Sequence, residues 1–178
     1  MDEKERLFNS IKNVVSLEDA ERIVTKIPLA LNSTPKERGE WVENVSEILE
    51  AEYDERTIKR IREGCYCNEN GKLEETARIL RDLYLSVGED MRKFVEVINQ
   101  NGAGWYFEDH YLYTKYLSCP CPMLQNADIS QSLTWCQCTA GYNKRMFELA
   151  FNMLVEVDVV HTIRQGHREC LLRITFAS

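Results

Sequence analysis

The chain has 178 residues, 44% of them hydrophobic and 29% charged, with a net charge of −7. That length supports one domain with a proper core, and that balance describes a folded globular chain rather than a disordered one. The acidic sign argues against a nucleic-acid partner; the one basic cluster, KRIR at 59–62, reads as the solvated face of a mixed-charge helix.

The start, MDEKERLF, is charged and lacks the apolar stretch of an export signal. No apolar run approaches the roughly 18 residues of a spanning helix, so no membrane partner is expected. The expected location is cytoplasmic, where thiols stay reduced. Seven cysteines, an odd number, also fit poorly with a closed set of disulfides.

Residues 1–100 carry 22 acidic and 16 basic side chains, against 7 and 6 in residues 101–178. Five of the seven cysteines and 11 of the 17 aromatic residues fall in the second stretch. The organisation expected is a helical part over 1–100 and a Cys-rich α+β part over 101–178, the two packed as one domain. In chain order, Ser16 with Asp19 three residues on marks a helix start before LEDAERIVTKI. Thr34-Pro35-Lys36-Glu37 marks a stronger one, for a helix to about Glu52 with Trp41, Val42, Val45, Ile48 and Leu49 on one stripe. Asp54 caps the next, which ends at Gly64. Helices over 72–87 and 89–99 complete this part.

NGAG at 101–104 is a break, after which the period changes. WYFEDHYLYTKYL (105–117) reads as strands about an EDH turn, and 118–132 as a loop. A helix is expected from about Thr139 to Phe151. VEVDVVHTI then alternates, and CLLRITF puts Cys170, Leu172, Ile174 and Phe176 on one face of a closing hairpin. The fold class is α+β, with N-terminal helices on a twisted antiparallel sheet that ends in a β-hairpin.

Three Cys-x-Cys pairs, 65/67, 119/121 and 136/138, are more than seven cysteines produce by chance. Thiolates are soft ligands suited to zinc, copper(I) and iron–sulfur centres. In extended backbone, residues i and i+2 point to one side and can share an ion; inside a helix they lie about 200° apart and cannot. Cys136 and Cys138 therefore chelate together only if their helix starts after them, and Ala140-Gly141 permits such a late start. The candidate metal set is Cys119, Cys121, Cys136 and Cys138 for zinc or an iron–sulfur cluster, with Cys65 and Cys67 able to replace either pair. Common zinc knuckles, however, place two residues between cysteines. The alternative is that the thiols wall an apolar pocket or simply pack.

For catalysis, the candidates are Cys138 or Cys170 as nucleophile and His161 as base. His161 falls in register with the valine face and is expected to point inward; His110 and His167 read as polar residues of an aromatic stretch and a turn. Trp105, Phe107, Tyr111, Tyr113 and Trp135 are core residues or the lining of a pocket for a small apolar ligand. No phosphate-cradling loop, dinucleotide fingerprint or catalytic triad pattern is present.

The stretch VEVDVVHTIRQGHRECLLRITF, with Gly166 four residues before Cys170 and Leu172 two beyond it, resembles the end of 4-vinyl reductase-like domains. The preceding WCQCTAGYNKRMFE resembles Cys-rich relatives of that family, and the likeness covers roughly residues 100–178. His167 departs from it, standing where an acidic residue often follows the glycine, as does Leu172, where Phe is common. The resemblance implies a fold shared with haem nitric-oxide sensor domains and trafficking-complex subunits. It also implies a small-molecule-binding role, with a cysteine-bound metal as an option. Haem itself lacks an axial histidine on a convincing pocket helix. A weaker likeness to aminothiazoline-carboxylate hydrolase-like proteins keeps a thiol- or metal-dependent hydrolase or reductase in view. A sensor-like binding domain, an enzyme and a structural module are thus the three readings, with homo-oligomerisation open.

Overall fold

The computed structural model describes residues 2–30, 32–68, 70–124 and 132–177. Among them are seven α-helices and one antiparallel sheet, so the α+β class holds. Residues 125–131, the middle of the expected 118–132 loop, lie outside the described residues.

The first helix, α1 (Glu3–Val14), has no counterpart among the expected elements. It is capped by Asp2, whose carboxylate accepts from the Glu5 N–H at 2.8 Å, and it buries Leu7 and Ile11 on one face. α2 (Leu17–Lys26) starts where Ser16 accepts from the Asp19 N–H. α3 (Pro35–Glu52) carries the full reciprocal cap: Thr34 accepts from the Glu37 N–H, and the Glu37 carboxylate accepts from the Thr34 N–H at 2.7 Å. α4 (Glu55–Glu63) follows the Asp54 cap and ends at Gly64. These four helices enclose one hydrophobic core, built from Leu7, Ile11, Ile23, Trp41, Val45, Leu49 and Ile61, which also takes in Leu124 and Trp135 from far along the chain.

α5 (Lys72–Ser86) and α6 (Met91–Asn99) join a second core instead. There they pack with α7 (Gln137–Phe151) on the sheet. The helical first hundred residues therefore divide between two cores, with the change near residue 70 rather than 100.

The sheet runs β1 (Tyr106–Glu108), β2 (Tyr111–Tyr116), β4 (Cys170–Phe176), β3 (Val155–His161), all antiparallel. Asp109 and His110 both have positive φ, which suits the two-residue turn that joins β1 to β2. Leu112, Leu172, Ile174, Val155 and Val157 face the helices and are buried. The other face carries Tyr106 stacked on Tyr113 at 4.5 Å, with Arg173 between Asp158 and the Tyr111 ring.

Two local features differ from the sequence expectation. α7 begins at Gln137, two residues early, with Cys136 as its N-cap in helical geometry. And a bulge interrupts the β3–β4 ladder: Val159 pairs with Leu172, but His161, not Val160, pairs with Leu171. The extra residue moves His161 off the valine face, so it does not point inward. Its ring instead stacks on His167 at 4.4 Å, and Thr162 takes the buried place beyond the bulge.

Candidate functional site: a thiol-walled pocket

The cysteines are gathered by three segments. The first is Cys119-Pro120-Cys121-Pro122, whose prolines favour extended backbone before a short 3-10 turn over Pro122–Leu124. This segment is tied to the helical core twice: Leu124 is buried in it, and Arg38 of α3 donates to the Met123 carbonyl at 3.3 Å. The second is the start of α7, with Cys136 and Cys138. The third is the head of β4, where the Cys170 sulfur accepts from the Ile163 N–H at 3.4 Å.

Together they border a two-chambered cavity. The inner chamber is narrow, with about 10 Å³ of space, among Cys119, Cys121, Cys136, Cys138, Cys170, Trp135 and Thr162. That is room for about one water-sized atom. The outer chamber, about 290 Å³, opens between Tyr116, Tyr142, Pro120, Pro122 and Cys67, with Lys72 at its rim. Cys121, Cys138, Pro120 and Thr139 line both chambers and form the wall between them. None of the seven cysteines, all among the described residues, is joined in a disulfide.

Behind that wall lies Arg62 of α4, fully buried. Its guanidinium lies 3.7 Å over the Trp135 ring and donates from Nη2 to the Trp135 carbonyl at 3.2 Å. Trp135 in turn meets Trp41 edge-on at 5.4 Å. Glu3 of α1 stands 3.6 Å from Arg62, while its other carboxylate oxygen accepts from Arg6 at 2.7 Å. Burial works against the Arg62 cation, and the Glu3 carboxylate opposes it, so its pKa stays above the ordinary value.

α4 approaches α7 this closely because position 141 is glycine. A Cβ there would fall 2.0 Å from the Glu63 carbonyl oxygen. Asn143, one turn from the thiols, is fully buried; its carboxamide donates to the Thr139 carbonyl and accepts from the Tyr116 hydroxyl at 3.1 Å. That bond fixes the Tyr116 side of the outer chamber.

Burial keeps four of these thiols, Cys121, Cys136, Cys138 and Cys170, neutral. Burial pushes Cys136 up to about 12 and Cys138 well above the ordinary range; it also raises Cys121 and Cys170. The Leu124 N–H donates to the Cys121 carbonyl at 3.3 Å, which closes the short turn behind that thiol.

Sequence-nominated residues thus sort unevenly. Cys119, Cys121, Cys136 and Cys138 do come together, joined by Cys170 and, at the outer chamber, Cys67. Cys65 borders neither chamber; its thiol donates to the Ile61 carbonyl at 3.2 Å. Because the helix includes Cys138 and is capped by Cys136, this pair cannot chelate in the extended manner expected of it. Among the described residues, no three His, Cys, Asp or Glu side chains stand together as a metal site.

His161 and Cys170 lie on opposite faces of the sheet, so His161 is not placed as a base for that thiol. Of the five aromatic candidates, Trp135 alone borders the cavity. Trp105 meets Phe94 and Phe147, Phe107 packs against the second core, and Tyr111 and Tyr113 lie on the outer sheet face. The aromatic walls are Tyr116 and Tyr142, which sequence reasoning passed over. So were Arg62, read as part of a solvated cluster, and Glu3. For Arg62 a signal was present: it stands four residues beyond Ile58 and one beyond Ile61, at the edge of the inward stripe of α4.

No helix among the described residues is long and apolar enough to cross a membrane. No curated protein and no solved structure matches the chain significantly. One family model matches it over residues 2–178, helices and sheet alike, and the chain accordingly belongs to the family of unknown function DUF6144.

Proposed function

We propose that this chain is a small-molecule-binding module of a reducing, cytosolic compartment, and that its site is the outer chamber backed by the Cys121–Cys138 wall. The observation that carries this reading is the convergence of six cysteines, from segments far apart in sequence, on one cavity with an open apolar mouth. At about 290 Å³ the outer chamber is at the small end of ligand pockets. Tyr116, Tyr142 and two prolines offer flat apolar walls to a ring or short chain, and Lys72 offers a cation at the rim to an acid group. The likeness of the closing hairpin to 4-vinyl reductase-like domains points to the same role.

The test is a titration with small aromatic acids, benzoate first, followed by protein NMR. Binding is expected to shift Tyr116, Cys138 and Tyr142 together. Tyr142→Ala is expected to weaken it by roughly tenfold, about the worth of one aromatic wall. Shifts scattered elsewhere, or equal affinity in the variant, would sink the reading.

A second reading is zinc or an iron–sulfur cluster at Cys119, Cys121, Cys136 and Cys138, which all line the inner chamber. The inner chamber fits a single ion; a cluster of several atoms would need its walls to move. Metal analysis of anaerobically purified protein tests it. Metal that is lost in both the Cys119/Cys121 and the Cys136/Cys138 double serine variants is its expected signature.

A further inference from the structure

We propose that the groove between α5 and the end of α7 is the docking face for a second copy of this chain, in a two-fold dimer. The groove lies at the opposite end of α7 from the thiols, so this inference stands apart from the reading of the thiol pocket.

The groove holds about 320 Å³. Its floor is Tyr84 and Phe151, whose rings meet edge-on at 4.8 Å. Leu85 and Met153 line its open side, 48% and 36% exposed, and Leu154, next in the chain, is 72% exposed. These are three of the eight large hydrophobic side chains exposed among the described residues. Single exposed apolar residues are ordinary, but a group of them around a concave apolar floor marks an interaction surface.

Charge names the occupant. Arg81, Leu85 and Glu89 recur at every fourth residue, from α5 into the turn that ends it, and all three line the groove. A cation, an apolar centre and an anion thus follow one another. Such a series is its own complement when reversed: a two-fold axis at Leu85 sets Arg81 of each copy against Glu89 of the other, and Leu85 against itself. A partner of one charge sign would meet a residue of its own sign at one end. Neighbouring charges are matched within the chain, Arg78 with Asp82 at 3.6 Å and Lys93 with Asp90 at 3.7 Å. Arg81 and Glu89 have no ion-pair partner among the described residues. Glu89 also has φ of 60°, in the left-handed region that favours glycine, and its N–H donates to the Tyr84 carbonyl at 3.0 Å. Glycine would make that turn at lower cost, so what the position gains from glutamate is a carboxylate at the edge of the groove.

The experiment is sedimentation equilibrium of the reduced full-length protein over a range of concentrations. The expected result is a monomer–dimer equilibrium. Leu85→Ser and Arg81→Glu should each weaken the dimer by about tenfold or more, since each change acts twice across the axis. Combining Arg81→Glu with Glu89→Arg should restore most of the loss, because the exchanged charges again oppose each other. Ile79→Ser, an exposed residue of α5 outside the groove, should change nothing. Circular dichroism confirms that each variant keeps its helices.

A monomer at every concentration would overturn the proposal and leave the groove to a different protein or a small ligand. A dimer indifferent to Leu85→Ser would overturn it by placing the contact on another face. A dimer broken by Arg81→Glu and not restored by the double reversal would exclude the two-fold pairing and overturn it as well.

Discussion

Gly141→Ala is expected to destabilise the protein by about 3 kcal/mol or more, at the top of the range for overpacked positions. The new Cβ would fall 2.0 Å from the Glu63 carbonyl oxygen, 2.6 Å from its carbon and 2.7 Å from Cα of Glu63. All three are backbone atoms of α4, so no side-chain rotation relieves the clash. The helices must separate, and the separation unseats Arg62, Ile61 and Ile58, which α4 buries. A matched control is Gly64→Ala. There the nearest atom is the Ser10 hydroxyl oxygen at 2.3 Å, the end of a small rotatable group, and the backbone is in the ordinary right-handed region. Turning Ser10 aside gives up its hydrogen bond to the Ile61 carbonyl, so a smaller cost of about 1–2 kcal/mol is expected. Urea unfolding of both variants checks the pair. Equal losses would show that α4 and α7 have slack at this contact. The same measurement bears on function, because α4 carries Arg62 to the back of the thiol wall; a Gly141→Ala protein that still folds should bind benzoate less tightly.

Much of the fold was legible because it is written in local chemistry. Ser16, Thr34 and Asp54 announce their helices, and each accepts the N–H bond that a cap requires. The closing hairpin alternates strictly enough for its buried face to be named residue by residue, and Leu172 and Ile174 lie there. What went unread depended on distance in the chain or on one-residue shifts. α1 has a cap and an apolar stripe, but its charged start was read for export rather than for periodicity. The bulge between Val159 and His161 inserts one residue without any glycine or proline to mark it, and that is enough to turn His161 to the other face. Gly141 was read as permission for a late helix start, whereas its use is the close approach of α4, which no periodicity reveals.

The site was half legible for the same reason. Cys-x-Cys pairs are visible as spacing, and four of the six sulfurs thought to belong together do border the inner chamber. Their geometry was not visible, because it turns on where a helix begins. If α7 started two residues later, Cys136 and Cys138 would face one way; starting at Gln137, it sends them apart and leaves Cys121 as the partner of Cys138 across the wall. Arg62 looked like one charge among several in KRIR, and only the tertiary contact with Trp135, 73 residues away, makes it a buried cation.

In the reduced, metal-free protein, stability is expected to fall as pH rises above about 9, with Cys136 a contributor that can be read out. The thiol has an ordinary value of 9.0 and is pushed up to about 12 in the fold, chiefly by burial, with the Thr162 hydroxyl opposing. In the unfolded chain the thiol ionises near its ordinary value, while in the folded chain it keeps its proton. The unfolded state therefore gains free energy with each pH unit through this window, at about 1.4 kcal/mol per unit, and about 4 kcal/mol of stability is gone by pH 12. Below the ordinary value the contribution is fully present. Cys121 and Cys138 shift the same way and add to the trend. Lysines and tyrosines also titrate there, so the informative quantity is the difference between wild type and Cys136→Ala across urea melts at pH 8 to 11. The alanine variant loses packing equally at every pH, but its curve should fall less steeply by one thiol's slope. Parallel curves would mean that Cys136 ionises as readily in the fold as in the unfolded chain. That result, joined to one cysteine alkylated far faster than the rest at neutral pH, would return the site to nucleophilic chemistry; uniformly slow labelling of Cys136 and Cys138 keeps them as the neutral wall of a binding pocket until a metal or ligand draws them out.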